Sequence, residues 1–132
     1  MIQELLSLEK AFNCKLSPIT LDSWKDYKSI PKGLRGVYII YDNDKFYYVG
    51  KGFVKDRQPH HEEKFSGIFK KARDTAGFRW LRESGVEFNV TKMRMTYIPL
   101  EQETLISAIE GSLIHMLQPI ANDEVVKNSK PA

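Results

Sequence analysis

Two short runs of β-branched and aromatic residues, parted by three turn formers, constrain this chain more than any other feature. Gly36-Val37-Tyr38-Ile39-Ile40-Tyr41 is followed by Asp42-Asn43-Asp44 and then by Lys45-Phe46-Tyr47-Tyr48-Val49. Branched and aromatic side chains favour extended backbone, while Asp and Asn favour turns. The stretch therefore predicts a β-hairpin, with Gly50 and Gly52 breaking its second strand and a loop leading on to Arg57. A lone hairpin is marginal in water, so other elements must cover it. The clearest helical pattern lies at Glu101 to Leu117, where Leu105, Ile106, Ile109, Leu113, Met116 and Leu117 form one apolar stripe that Pro119 ends. Weaker helical patterns span Ile2 to Phe12, a short stretch through Trp24 and Tyr27 with Asp22 as its cap, the basic residues 60–75, and Phe78 to Ser84 before Gly85. Residues Val86 to Ile98 alternate in part and predict a third strand. The expected class is α+β, a small three-stranded antiparallel sheet flanked by helices.

At 132 residues the chain suits one domain with a real core. No repeat, low-complexity run or linker divides it, and order is expected up to Asn122. Its single cysteine, Cys14, allows no intrachain disulfide and no cysteine-rich zinc cluster. The opening MIQELLSLEK carries acids and no long apolar run, so neither a signal peptide nor a membrane span is expected. The expectation is a cytoplasmic protein with no membrane partner. Net charge is +3, unevenly spread: residues 45–94 hold twelve Lys or Arg against six Asp or Glu, and residues 95–132 hold two against five. A basic middle suits a polyanion, although a solvated surface would look the same.

One acid needs an explanation. Glu110 adjoins Ile109, and its neighbours three and four residues away are Ile106, Ser107, Leu113 and Ile114. A carboxylate there either sits at the edge of the apolar stripe or has a cationic partner, because burying an unpaired charge costs several kcal/mol. That partner could be a lysine, an arginine or a metal ion. Downstream of the hairpin lie Lys51, Lys55, Arg57, His60 and His61, a set able to hold a phosphate. Taken singly, strand tyrosines pack and loop arginines face water.

In combination these residues resemble the ordered motifs of the GIY-YIG nuclease superfamily. The matching positions are Gly36-Val37-Tyr38, Tyr48-Val49-Gly50, Arg57, His61, Glu110 and Asn122, covering residues 34–122. Valine stands for isoleucine in both tripeptides, a conservative change between β-branched residues. The resemblance implies a GIY-YIG-like core at 34–122, with residues 1–33 as an N-terminal helical cap or extension and 123–132 as a tail. It implies that Tyr38 is a general base or positions water, that Tyr48 contacts the scissile phosphate, and that Arg57 binds that phosphate. It further implies that His61 contacts the site, with His60 a rival one residue away. Glu110 would be the single metal-binding carboxylate, and Asn122 would tie the core together. Lys51, directly after the second motif, is a candidate phosphate contact. In a nuclease, Lys70, Lys71 and Arg73 become candidates for backbone phosphates.

The chemistry is coherent. Hydrolysis of a phosphodiester builds charge on non-bridging oxygens, which a guanidinium fork can stabilise, and on the leaving oxygen, which a divalent ion can stabilise. One carboxylate with several waters suits Mg2+ or Mn2+ rather than zinc. Free tyrosine has a pKa of about 10, so Tyr38 needs help to act as a base, and a nearby cation would lower its pKa. The resemblance implies a metal-dependent endonuclease on DNA leaving 5′-phosphate and 3′-hydroxyl ends, with a homodimer or a protein partner as a source of specificity. The alternatives are an inactive nucleic-acid- or protein-binding module on the same fold, or an RNase. Trp24 and Trp80 read as packing residues; Phe78 and Trp80, beside Arg79 and Arg82, could also stack on an unpaired base.

Overall fold

The structure, a computed structural model, describes residues 1–43 and 45–129, with only the backbone of 127–129. Asp44 of the expected turn and residues 130–132 of the expected tail lie outside the described residues. The elements run α1 (Ile2–Phe12), β1 (Ile19–Leu21), a 3-10 helix (Trp24–Ser29), β2 (Arg35–Tyr41), β3 (Phe46–Phe53), α2 (Val54–Ser66), α3 (Ala76–Glu83), a 3-10 turn (Val90–Lys92), β4 (Arg94–Pro99), α4 (Glu103–Leu117) and α5 (Asp123–Ser129). The α+β class holds, but the described sheet has four strands, not three, in the order β1-β4-β2-β3 with every neighbouring pair antiparallel. The added strand, Ile19-Thr20-Leu21, is too short to show alternation. It is fixed by its partner instead, with Thr20 and Thr96 hydroxyls 2.9 Å apart across the pair. Residues 1–33 are thus more than a helical cap. They supply an edge strand, and Trp24, Tyr27 and Ile30 enter the core.

Both faces of the sheet are covered, which is why the hairpin runs show no apolar–polar alternation. Tyr38, Ile40 and Tyr47 pack with Trp24, Phe65, Phe78 and Leu81 on the side of α2 and α3. Val37, Ile39 and Val49 pack with Leu5, Leu8, Ile106, Ile109 and Leu113 of α1 and α4. The β2–β3 register slips between Ile40 and Tyr41, so that Ile40 faces Tyr48 and Tyr41 faces Phe46. Tyr47 is the extra residue. Such a bulge breaks strict alternation and turns two consecutive side chains to one side. Tyr47 and Tyr48 accordingly both pack toward α2 and α3.

Several boundaries differ from the sequence reading. Gly50 and Gly52 do not end β3, which continues to Phe53. Gly50 lies opposite Tyr38, and a Cβ there would collide with the Tyr38 hydroxyl and ring. It makes room for the ring rather than a bend. Arg57 lies on α2 rather than in a loop. That helix starts at Val54 and ends at Ser66, instead of covering residues 60–75. It tolerates Pro59, whose interior position costs about 3 kcal/mol, because Val54, Gln58, His61 and Phe65 are buried beneath it. The strand expected over Val86 to Ile98 is confined to β4. Asp22 caps no helix; Ser23 is the N-cap residue of the 3-10 helix, and Asp22 pairs with Arg94 at 3.1 Å. The expected tail contains α5, which packs on α3 and buries Val126. Among the described residues no helix is long and apolar enough to cross a membrane.

Candidate active site at the edge of the sheet

β3 is an edge strand, and the chain after α4 returns to cover it. Ile120 N–H donates to Phe46 O at 3.0 Å, and Ala121 N–H donates to Tyr47 O at 2.8 Å. Asn122 extends this pairing with its side chain: its Oδ1 accepts from Val49 N–H at 2.9 Å and its Nδ2 donates to Val49 O at 2.8 Å. One amide stands in for a peptide unit, and all four groups are buried. In Asn122→Ala both Val49 groups lose their partner, each at about 1–3 kcal/mol. The expected result is a loss of about 2–4 kcal/mol in urea unfolding, with Asn122→Asp, which keeps the acceptor, falling in between. Unchanged midpoints in both variants would show that the tie contributes nothing.

Just beyond this tie, side chains from five elements gather. Tyr38 from β2 is fully buried, and its hydroxyl lies 2.5 Å from Nε2 of the fully buried His61 on α2. Tyr48 from β3 lies against both, with ring centroids 6.2 Å from Tyr38 and 4.5 Å from His61. Phe78 of α3 forms the floor, stacked on His61 at 5.6 Å and 5.2 Å from Tyr48. Arg57, one helical turn before His61, is exposed. Glu110 is half-buried on α4, which packs against the opposite face of the sheet and along β3. Lys51 Nζ donates to Ser107 Oγ of α4 at 2.9 Å, one turn before Glu110. The site is therefore assembled around the edge of the sheet from both layers.

Electrostatics bind these groups into one unit. Burial pushes the Tyr38 hydroxyl pKa strongly upward; Tyr48 and Glu110 add to the rise, and Arg57 opposes it. Burial pushes Tyr48 up to about 12, against the Arg57 charge and with help from Glu110, Glu124 and Asp123. His61 is held well below 6.5, first by burial and then by Lys64, Arg57 and His60, so its ring is neutral at pH 7. Its Nδ1 is buried without a hydrogen-bond partner among the described residues. Burial raises the Glu110 carboxyl, Lys51 and Arg57 pull it down, and Glu124 pushes it up. Among the described residues neither Arg57 nor Glu110 forms a salt bridge.

Of the residues singled out in the sequence, Tyr38, Tyr48, Arg57, His61, Glu110, Lys51 and Asn122 come together. His60 does not join them. It lines a separate cleft with Tyr27, Lys28, Lys55, Glu63 and Lys71. Lys70, Lys71 and Arg73 lie on the exposed segment after α2, not on a helix face. That segment is clasped by Glu63, whose Oε1 accepts from the N–H groups of Lys70, Lys71 and Ala72 at 2.6, 2.9 and 3.1 Å. Those bonds hold the Glu63 carboxyl at about 2. Trp24 is core, with its indole N–H on Gln58 Oε1 at 3.0 Å, and Phe78 is buried under the site rather than open to a base. Sequence reasoning misses Lys64, Asp123 and Glu124 as charges acting on the site. A lysine on the Arg57–His61 face of a basic helix is the one available signal. Compared with known protein families, curated proteins and solved structures, the chain finds no match.

Proposed function

We propose that the chain is a phosphodiester hydrolase and, within that class, a metal-dependent endonuclease of the GIY-YIG type acting on DNA. One observation carries the reading: a guanidinium and a carboxylate, neither in a salt bridge among the described residues, act on the same two buried phenols. Opposite charges kept for structure would close on each other. Left unpaired beside the same phenols, they leave room for an anion on one and a cation on the other.

In this reading Arg57 grips the non-bridging oxygens of the scissile phosphate with charge-assisted bonds. Tyr38 takes a proton from the attacking water while its own passes to His61 Nε2, which is neutral and within reach at 2.5 Å. A protonated His61 is disfavoured by burial and by Lys64 and Arg57, and the negative charge of a bound phosphate offsets that penalty. The water oxygen bonds to phosphorus, the bond to the 3′ oxygen breaks, and the 3′ oxygen takes up a proton from solvent. Tyr48 packs the Tyr38 and His61 rings in place and borders the phosphate. Glu110 suits a hard divalent ion, since its partial burial without a salt bridge among the described residues is relieved by a bound cation. Among the described residues no three His, Cys, Asp or Glu gather nearby, so a Mg2+ or Mn2+ ion on Glu110 would keep most of its waters. Such an ion, when bound, supplies Lewis-acid stabilisation to the leaving oxygen.

The test is incubation of plasmid and branched DNA with Mg2+ or Mn2+. Wild type is expected to cut, and Arg57→Ala, folded by circular dichroism, is expected to cut about 10²–10³-fold more slowly. DNA binding without cutting in either ion would replace the nuclease with a binding module. Cutting of RNA alone would replace it with an RNase.

A further inference from the structure

One cation beside the site forms no salt bridge among the described residues. Arg57, His61 and Lys64 stand at i, i+4 and i+7 on α2 and therefore share one face. Lys64 is only 9% exposed, and its Nζ lies 5.7 Å from the centroid of Phe78, the ring that floors His61 and Tyr48. Among the described residues its ammonium has neither a hydrogen bond nor a salt bridge. The acids that act on it from other elements are Asp74, ahead of α3, and Asp123 of α5. Both are otherwise engaged: Asp74 holds Arg82 at 2.8 Å and Arg79 at 3.1 Å, and Asp123 accepts from Gly77 N–H at 2.7 Å. On its own helix, Arg57 repels it. Contact with an aromatic face returns only part of what partly desolvating an ammonium costs. Two cations on one stripe, over an aromatic floor and with no salt bridge among the described residues, are completed by an anion.

We propose that Lys64 is a substrate-binding residue whose ammonium takes a phosphate of the DNA strand beside the phosphate held by Arg57. This rests on the nuclease reading of the site. Substrate then brings the missing ion pair, and the half-buried ammonium discriminates against chains without backbone charge.

Binding and cleavage separate the two claims. In Lys64→Met, KM for DNA is expected to rise about tenfold with kcat within about threefold, and Lys64→Arg to restore most of it. The slope of log affinity against log salt is expected to fall by about 0.9, the share of one phosphate contact. A residue that merely packs would not move that slope. In the wild-type protein without added metal, the Lys64 ammonium followed by NMR is expected to titrate at higher pH once a short DNA duplex is added. This measurement needs no variant to fold and no cutting to occur. An unchanged salt slope, or an unmoved Lys64 titration in the DNA complex, overturns the proposal. Absence of cleavage by wild type overturns the nuclease reading instead.

Discussion

Glu110→Gln is expected to lose DNA cleavage by about 10³-fold or more while the protein becomes no less stable at pH 7. The activity loss follows from removing the charge that would hold the ion, since several kcal/mol of transition-state stabilisation corresponds to about three powers of ten in rate. The stability result follows from the direction of the pKa. Burial is the first cause holding the folded carboxyl above its ordinary 4.5. The folded chain therefore keeps this proton to higher pH than the unfolded one. Folding is penalised progressively as pH rises from about 4.5 through the folded value, and the full penalty stands at neutral pH. Glutamine removes it. Melting curves of the two proteins should diverge above pH 4.5 and converge below it. A Glu110→Gln variant that melts well below wild type at pH 7 would mean that the carboxylate is a structural partner, and the metal assignment would fall.

Tyr38→Phe isolates the hydroxyl. The ring still fills the space left by Gly50, so the fold is expected to survive, but the contact to His61 Nε2 is gone and a second nitrogen of that buried imidazole loses its partner. Cleavage is expected to fall by about 10²–10⁴-fold at saturating DNA, the span of a lost general acid–base group, with DNA affinity nearly unchanged. A lower affinity with kcat preserved would move Tyr38 from proton transfer to substrate binding. Stability should drop by about 1–3 kcal/mol, because an unpaired buried nitrogen costs more than the bond was worth.

The parts of the fold legible in the sequence are those written into local pattern. The hairpin is readable because Val37, Tyr38, Ile39 and Ile40 favour extended backbone wherever they stand, and α4 because its stripe repeats over about four turns. The unreadable parts owe their shape to distant partners. β1 is three residues stitched to β4. α5 is polar except for Val125 and Val126, and it forms where the chain packs on Gly77, a position at which any Cβ would strike Ala121 O. Arg57 reads as a loop residue because Gly50 and Gly52 read as breakers, whereas the structure carries the helix through Pro59 on the burial of Val54, Gln58, His61 and Phe65. In the site, Glu110 is visible as an acid on an apolar helix. Lys64 is not, since a lysine on a basic helix looks solvated until Phe78 is known to lie under it.

The covering of β3 by residues 120–122 has a consequence for solubility. Remove that stretch, and the backbone groups of Phe46, Tyr47 and Val49 become an open ladder beside a run of aromatic residues. Such a margin recruits other extended chains, a second copy of this one first of all. The Asn122 amide thus also acts as a guard against self-association, placed where the proposed site leaves the margin partly open.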